Sequence, residues 1–450
     1  MKYKFFAFMA VAAFCASPLF AQKTVELTPE QKAAIVLEPE LSDAFYGQVD
    51  RLYLNGMWKF KPELNLLEAQ PGENMRFKQG ADMRNPAVDA GLTSGYFRPG
   101  YDAKSWSELP VPWPWNITTD FKKGKNVKIP FAGLGYYRHS FSIPSGKKGM
   151  RAILHFASVQ TECRVWLNGV ELGTHVNSSP HGGPPWDFNQ RLWLDDFEFD
   201  ITKTAVFGGE NTLVVRVFDD GQPLEERRWP DDGGITGPVT IDFTGEIRAT
   251  ELLVSGDPAT GAVRLDATLY NDGAAAAELP LQAEIAPFTS AFYTPPEKVK
   301  SNIVDLGVTR IPPGTSRHSF SFTIEKPAAW SLESPFLYRL RLLSKGTVVG
   351  QTRFGFRTFE VSGGRFLLNG HPVYLRGSNP TNSWNQNQRI LAFNKANWLR
   401  EGLKLFKAAN FNLLRVNNGP ETKIFYDICD ELGILTEDDF AVDSTDLQPD

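Results

Sequence analysis

The sequence predicts a multidomain, mainly β fold: a β-sandwich or jelly roll, then an immunoglobulin-like β-sandwich, then the opening of a parallel α/β unit. Three observations carry this. Glycine (38) and proline (31) are plentiful beside 33 Phe, 12 Tyr and 11 Trp, a mixture that suits short strands joined by many turns. Apolar residues alternate with period two in segment after segment from about Leu52 to Phe359, as half-buried strands require. After Phe359 the pattern changes to strand, helix, strand, helix, strand, which is how a parallel sheet is wound.

Length and charge set the outer bounds. A chain of 450 residues is long enough for about three domains at ~150 residues each. Its 42% hydrophobic residues fill real cores, and 22% charged residues is too few for a mostly disordered chain. A formal net charge of -5 offers no broad basic surface, which argues against a nucleic-acid partner.

Taken in order, residues 1–21 read as an export signal: Lys2 and Lys4 form a basic start, Phe5 to Phe14 an apolar core, and Ala21 precedes cleavage. The expected location is therefore secreted or periplasmic. The apolar run is too short for a stable membrane anchor, and no membrane association is expected after cleavage. Bulky Phe14 argues against lipidation at Cys15. The remaining Cys163 and Cys429 fall in different predicted domains and read as buried single thiols.

Residues 22–248 form the first predicted domain. In RAILHF, Ala152, Leu154 and Phe156 share one face of a strand, as do Cys163, Val165 and Leu167 in CRVWLNGVEL. Asn168-Gly169 then supplies a hairpin turn. In NTLVVRVF, Leu213, Val215 and Val217 alternate against Arg216 and Phe218. Residues 249–359 repeat the pattern in VRLDATLYND, LQAEIAPF, HSFSFTIE and FLYRLRLL. About seven such strands in a hundred residues suggest an immunoglobulin-like sandwich.

Residues 360–450 begin with a hairpin and VYLRGSN, read as a buried strand. Leu399, Leu403 and Phe406 then share a helical face, the strand FNLLRV follows, and Ile424, Phe425, Ile428, Cys429 and Leu432 mark a second helix that stops at Gly433. ILTEDDF opens a third strand. A barrel of eight such units takes ~250 residues, against about 90 here, so the last domain is expected to be incomplete.

No self-contained catalytic motif is present. The six histidines (His139, His155, His175, His181, His318, His371) have no metal-ligand spacing. GxSxG, GxxxxGK and GxGxxG after a strand are missing. No cofactor and no metal are indicated, although the jelly roll leaves room for calcium.

What remains is a resemblance spread over almost the whole chain. LNGMWKF (54–60), LPVP (109–112), GYYRHSF (135–141), VWLNG (165–169), FDIT (199–202), NTLVVRV (211–217), GGITGPV (233–239), WSLESPFLY (330–338), FGFR (354–357), FLLNGHPVYLRGSN (366–379), KAANFNLLRV (407–416) and FYDICDELGIL (425–435) follow one another as in glycoside hydrolase family 2. Each stretch alone is weak, but their common order is specific. The resemblance implies a sugar-binding jelly roll, an immunoglobulin-like sandwich and the beginning of a (β/α)8 TIM barrel. It also implies exo-acting, retaining hydrolysis of an oligosaccharide or glycoside, by two glutamates ~5–5.5 Å apart. The family's acid/base follows an Asn, and no Asn-Glu dipeptide occurs in this sequence. The catalytic pair is thus expected beyond residue 450, and these 450 residues alone are expected to hydrolyse nothing.

Substrate contacts are expected at C-terminal strand ends: Asn379 after the first barrel strand, Arg415 and Asn417 after the second, and Asp439 at the end of the third. Asp231 and Asp232 lie in a jelly-roll loop that reaches the barrel mouth in several members of the family, and Trp384 offers a face for sugar stacking. Plainer roles stand beside these: an ion-pair partner for Arg415, a helix N-cap for Asp439, a solvated turn for Asp231 and Asp232, and a core cover for Trp384. RGSNPTNSWNQ and LRVNNGPETKIFYD hold no histidine, which points toward the β-mannosidase and exo-glucosaminidase branch. Two other readings stay open, a non-catalytic secreted carbohydrate-binding or scaffolding protein and one half of a two-chain enzyme, and so does a homo-oligomer.

Overall fold

The computed structural model describes residues 50–65, 67–69, 75–77, 89–113, 115, 133–160, 162–176, 196–219, 233–290, 293–378, 396–416 and 423–438. The expected export signal lies outside them.

The first domain packs two antiparallel sheets. One has four strands in the order Arg51–Tyr53, Val239–Thr244, Arg151–Phe156, Phe197–Asp200. The other has six, in the order Val170–Val176, Glu162–Leu167, Glu210–Asp219, Gly133–Ser142, Gly56–Asn65, Ser107–Val111. The alternation legible in the sequence sets the inner faces. Ala152, Leu154 and Phe156 meet Cys163, Val165, Leu167, Leu213, Val215 and Val217 in one buried core. The Asn168-Gly169 turn has φ of 52° and 83°, the left-handed pair that a two-residue hairpin needs, and it sets Val170 opposite Leu167.

A second apolar layer covers the outer face of the six-stranded sheet. Tyr96 and Trp106 lie on Tyr136, Trp166, Val214 and Phe218. This strap is pinned by buried Asp89, which accepts from Tyr136 Oη (2.6 Å), Arg216 Nε (2.6 Å) and Leu92 N (3.2 Å). Arg138 donates to the Tyr96, Arg98 and Pro99 carbonyls. Period-two patterning did not foretell this layer, because the strap itself is irregular.

The second domain has seven strands: Ile247–Gly256, Ala262–Asn271 and Gly314–Thr323 in one sheet, and Asn302–Ile311, Ala277–Pro287, Tyr338–Ser344 and Thr347–Phe354 in the other. Leu265, Leu269, Ile285, Leu340 and Leu342 fill the space between them. Arg151–Asp272 (2.7 Å) and Arg248–Glu198 tie it to the first domain.

A hairpin of Phe359–Ser362 and Arg365–Leu368 leads to a parallel sheet ordered Gly377–Ser378, Leu413–Val416, Leu435–Asp438. Helices Ala396–Ala408 and Lys423–Leu432 supply the crossovers, and Cys163 and Cys429 are buried free thiols. VYLRGSN is less strand-like than its apolar residues suggest, since among its described residues only Gly377–Ser378 joins the ladder. The Asn412 side chain explains this: it accepts from Arg376 N (2.8 Å) and donates to the Tyr374 carbonyl (3.0 Å), standing in for ladder bonds.

The second sandwich and the barrel strands share a core of Phe288, Tyr293, Trp330, Leu332, Leu337, Leu368 and Leu435, with Leu413 packed against it. Beside it lies a buried ionic network. Arg353 of the sandwich contacts Asp427 (2.9 Å) and Glu431 (2.7 Å) on the second barrel helix, and Glu431 also pairs with Arg400 on the first. Trp330 Nε1 donates to the Asp430 carbonyl (2.7 Å), and Lys407 Nζ to the Leu332 carbonyl (2.6 Å).

Candidate active site at the barrel mouth

The two faces of the parallel sheet are assigned by packing. Leu414 and Val416 are buried among Leu403, Ile424, Phe425 and Ile428 of the helices. Leu413 and Leu435 meet the second sandwich instead. Side chains alternate along a strand, and register partners in a sheet project to the same side. Leu413 pairs with Leu435 and Arg415 with Glu437. Arg415 and Glu437 therefore sit side by side on the inner face, one step closer to the C-terminal ends than the apolar floor of Leu413 and Leu435. Substrate groups in a barrel enter at these ends.

Asp438 turns the other way, where Tyr426 Oη on the second helix donates to its Oδ1. This bond joins the helix to the mouth end of the third strand. On the jelly-roll side, His155 Nε2 lies 3.0 Å from Asp196 Oδ2. That hydrogen bond, helped by the charge of Lys423 at the start of the second helix, holds the Asp196 carboxyl below its ordinary range.

Of the residues expected to touch substrate, Arg415 is placed on the inner face of the mouth. Asn379, Trp384, Asn417, Asp439, Asp231 and Asp232 lie outside the described residues. Glu437 and Tyr426 were not singled out from the sequence. The ILTEDDF run puts three carboxylates in a row, and only the strand's phase separates inward Glu437 from outward Asp438. Among the described residues, no group of three His, Cys, Asp or Glu side chains is placed to hold a metal ion.

Two β-sandwiches followed by the first strands and helices of an α/β barrel define a mainly β, multidomain protein. Residues 247–357 match the model of glycosyl hydrolases family 2, and residues 359–450 match that of the glycosyl hydrolases family 2 TIM barrel domain. Residues 247–450 are thus similar to two successive domains of glycosyl hydrolases family 2. A β-galactosidase of Priestia megaterium is 24% identical over 94% of this chain and 38% of its own length. A putative β-glucuronidase of Formosa agariphila is 28% identical over 75% of this chain and 30% of its own. The chain spans about a third of the length of the curated relatives it matches. Among solved structures, a family 2 member from Bacteroides cellulosilyticus aligns with a TM-score of 0.57 at 22% identity, covering 86% of this chain and 47% of that one. A Bacteroides uniformis β-glucuronidase aligns with a TM-score of 0.58 at 21% identity, covering 86% and 42%.

These relatives correct one expectation. The lean toward the β-mannosidase and exo-glucosaminidase branch rested on missing histidines in two short loops, and these relatives are β-galactosidases and a putative β-glucuronidase. Loop residues vary within a family more readily than the strands that carry them, so two loops were a poor guide to the branch.

Proposed function

We propose that this chain works as part of an exo-acting, retaining glycoside hydrolase that cleaves O-glycosidic bonds of an oligosaccharide or glycoside. The observation that carries the reading is the inward Arg415 beside Glu437 at the C-terminal ends of parallel barrel strands, in domains of a glycosidase family. In the retaining mechanism one carboxylic acid protonates the leaving oxygen. A second carboxylate attacks the anomeric carbon, and water then hydrolyses the glycosyl-enzyme. No residue of this sequence is assigned to either carboxylate. Arg415 contributes binding, since a guanidinium donates to sugar oxygens in a fixed geometry. The basic and apolar start of the chain supports export, and the proposed location is periplasmic or extracellular.

The test is hydrolysis of nitrophenyl β-galactoside and β-glucuronide by the native polypeptide that carries this sequence, with the anomer of the first-formed product read by NMR. Turnover with retention supports the reading. Saturable sugar binding without turnover would replace it with a carbohydrate-binding role.

A further inference from the structure

We infer that Asn302–Ile311, an edge strand of the second sandwich, is a self-association surface that pairs antiparallel with the same strand of a second copy of this chain. The inference is independent of the hydrolase reading.

The strand lies at the end of its sheet. It pairs with Ala277–Pro287 on one side and with no described strand on the other. The opposite edge of the sheet, Thr347–Phe354, is buried along most of its length, whereas Ile303 and Val308 are 65% and 67% exposed. An open row of N–H and C=O groups beside exposed β-branched side chains is a template for another strand. Lysine and proline commonly blunt such an edge, and residues 302–311 hold neither. Two charges and one bulge do interrupt it, and all three suit a copy of the same strand.

Asp305 and Arg310 project outward with Ile303 and Val308, away from the core that receives Val304, Leu306 and Ile311. The outward phase slips at Leu306-Gly307, where the register against Ala277–Pro287 shifts by one residue. A two-fold axis between Gly307 and Val308 sets Asp305 of each copy opposite Arg310 of the other. The same axis sets Leu306 opposite Thr309, and Ile303 opposite exposed Pro312. Outward residues meet outward ones, and inward residues meet inward ones. The only conflict of phase falls on Gly307 opposite Val308. Glycine has no side chain to misplace, and the space around Gly307 is open.

The charges are available for this match. Asp305 Oδ1 accepts from Gly307 N (2.9 Å), which leaves Oδ2 for a guanidinium. Arg310 makes no ion pair or hydrogen bond among the described residues, its register neighbour Glu278 included. Opposite charges directly across two strands stabilise the pairing and like charges oppose it. In-register parallel pairing would set Asp305 against Asp305 and Arg310 against Arg310, so the antiparallel arrangement is the one selected.

The experiment is sedimentation equilibrium of the native polypeptide that carries this sequence, beside Val308→Lys, Asp305→Arg and the doubly reversed Asp305→Arg/Arg310→Asp. The native protein is expected to form a dimer or an even-numbered assembly. Val308→Lys and Asp305→Arg are each expected to raise its dissociation constant roughly tenfold or more, with unchanged melting of the dilute protein, since all three side chains are exposed. The double reversal restores opposite charges across the axis and is expected to recover most of the association lost in Asp305→Arg. A monomer at every concentration overturns the proposal, and protected amides along Asn302–Ile311 in that monomer would show another segment of the polypeptide covering the edge. An assembly whose dissociation constant none of these substitutions moves, or an Asp305→Arg defect that the double reversal deepens, overturns it equally.

Discussion

Arg415 lies between two roles that kinetics can separate. Its strand neighbours Leu414 and Val416 are buried against the helices, while its own side chain is on the inner face and only partly covered. Truncation there leaves the packed face of the strand intact. Arg415→Ala in the native polypeptide is expected to lower kcat/KM by about tenfold to a hundredfold, with little change in melting temperature. Unchanged kinetics with a lower melting temperature would make Arg415 a structural ion-pair partner. His139 shows the opposite case, a titratable group committed to packing. Its ring stacks on Trp58 at 4.8 Å and on Phe141 at 6.2 Å, and burial pushes its pKa down to about 4 from 6.5. The unfolded chain then binds a proton at a pH where the folded one does not. The contribution is complete above about pH 6.5 and is lost as pH falls toward 4. A melting temperature followed from pH 7 to 4 should fall less steeply in His139→Phe than in the parent; parallel curves would show that His139 carries none of the acid sensitivity.

Among elements, the second barrel helix has the most demanding surroundings. Its apolar face was legible in the sequence, because Ile424, Phe425, Ile428 and Cys429 recur at helical spacing and all are buried. Its stop was legible too. Gly433 has φ of 68°, and a Cβ there would come within 2.4 Å of the Leu332 carbonyl oxygen, so two constraints demand glycine at one position. The helix's buried charges were not legible. Asp427 and Glu431 look like solvated residues of an amphipathic helix, yet both are buried against Arg353. From Glu431 that partner is 78 positions away along the chain, and no local period encodes such a distance. Arg353→Met leaves Asp427 without its 2.9 Å cation and is expected to cost roughly 3–5 kcal/mol in denaturant unfolding. Adding Asp427→Leu should recover much of the loss, since an apolar pair tolerates burial better than a stranded charge. A single variant as stable as the parent would mean that the pair contributes nothing net.

For the whole molecule, the two sandwiches and the barrel opening followed from period and turn chemistry: Asn168-Gly169, the alternation around Leu154 and around Val215, and the helical runs after residue 395. What joins the domains did not follow, because Trp330, Arg353 and Lys407 act through single contacts at long range. Those contacts predict that the second sandwich and the barrel helices open as one unit. In hydrogen exchange, amides of Lys423–Leu432 should share the protection of Tyr338–Ser344 and lose it together in Arg353→Met; a helix that exchanges freely while the strands stay protected would contradict this. The bond from Trp330 to the Asp430 carbonyl has a consequence for how the protein is made. A ribosome delivers Trp330 a hundred residues ahead of Asp430, so the finished sandwich is waiting with a donor when the helix emerges. The barrel segment is thereby templated by the domain made before it, and the direction of translation becomes the direction of assembly.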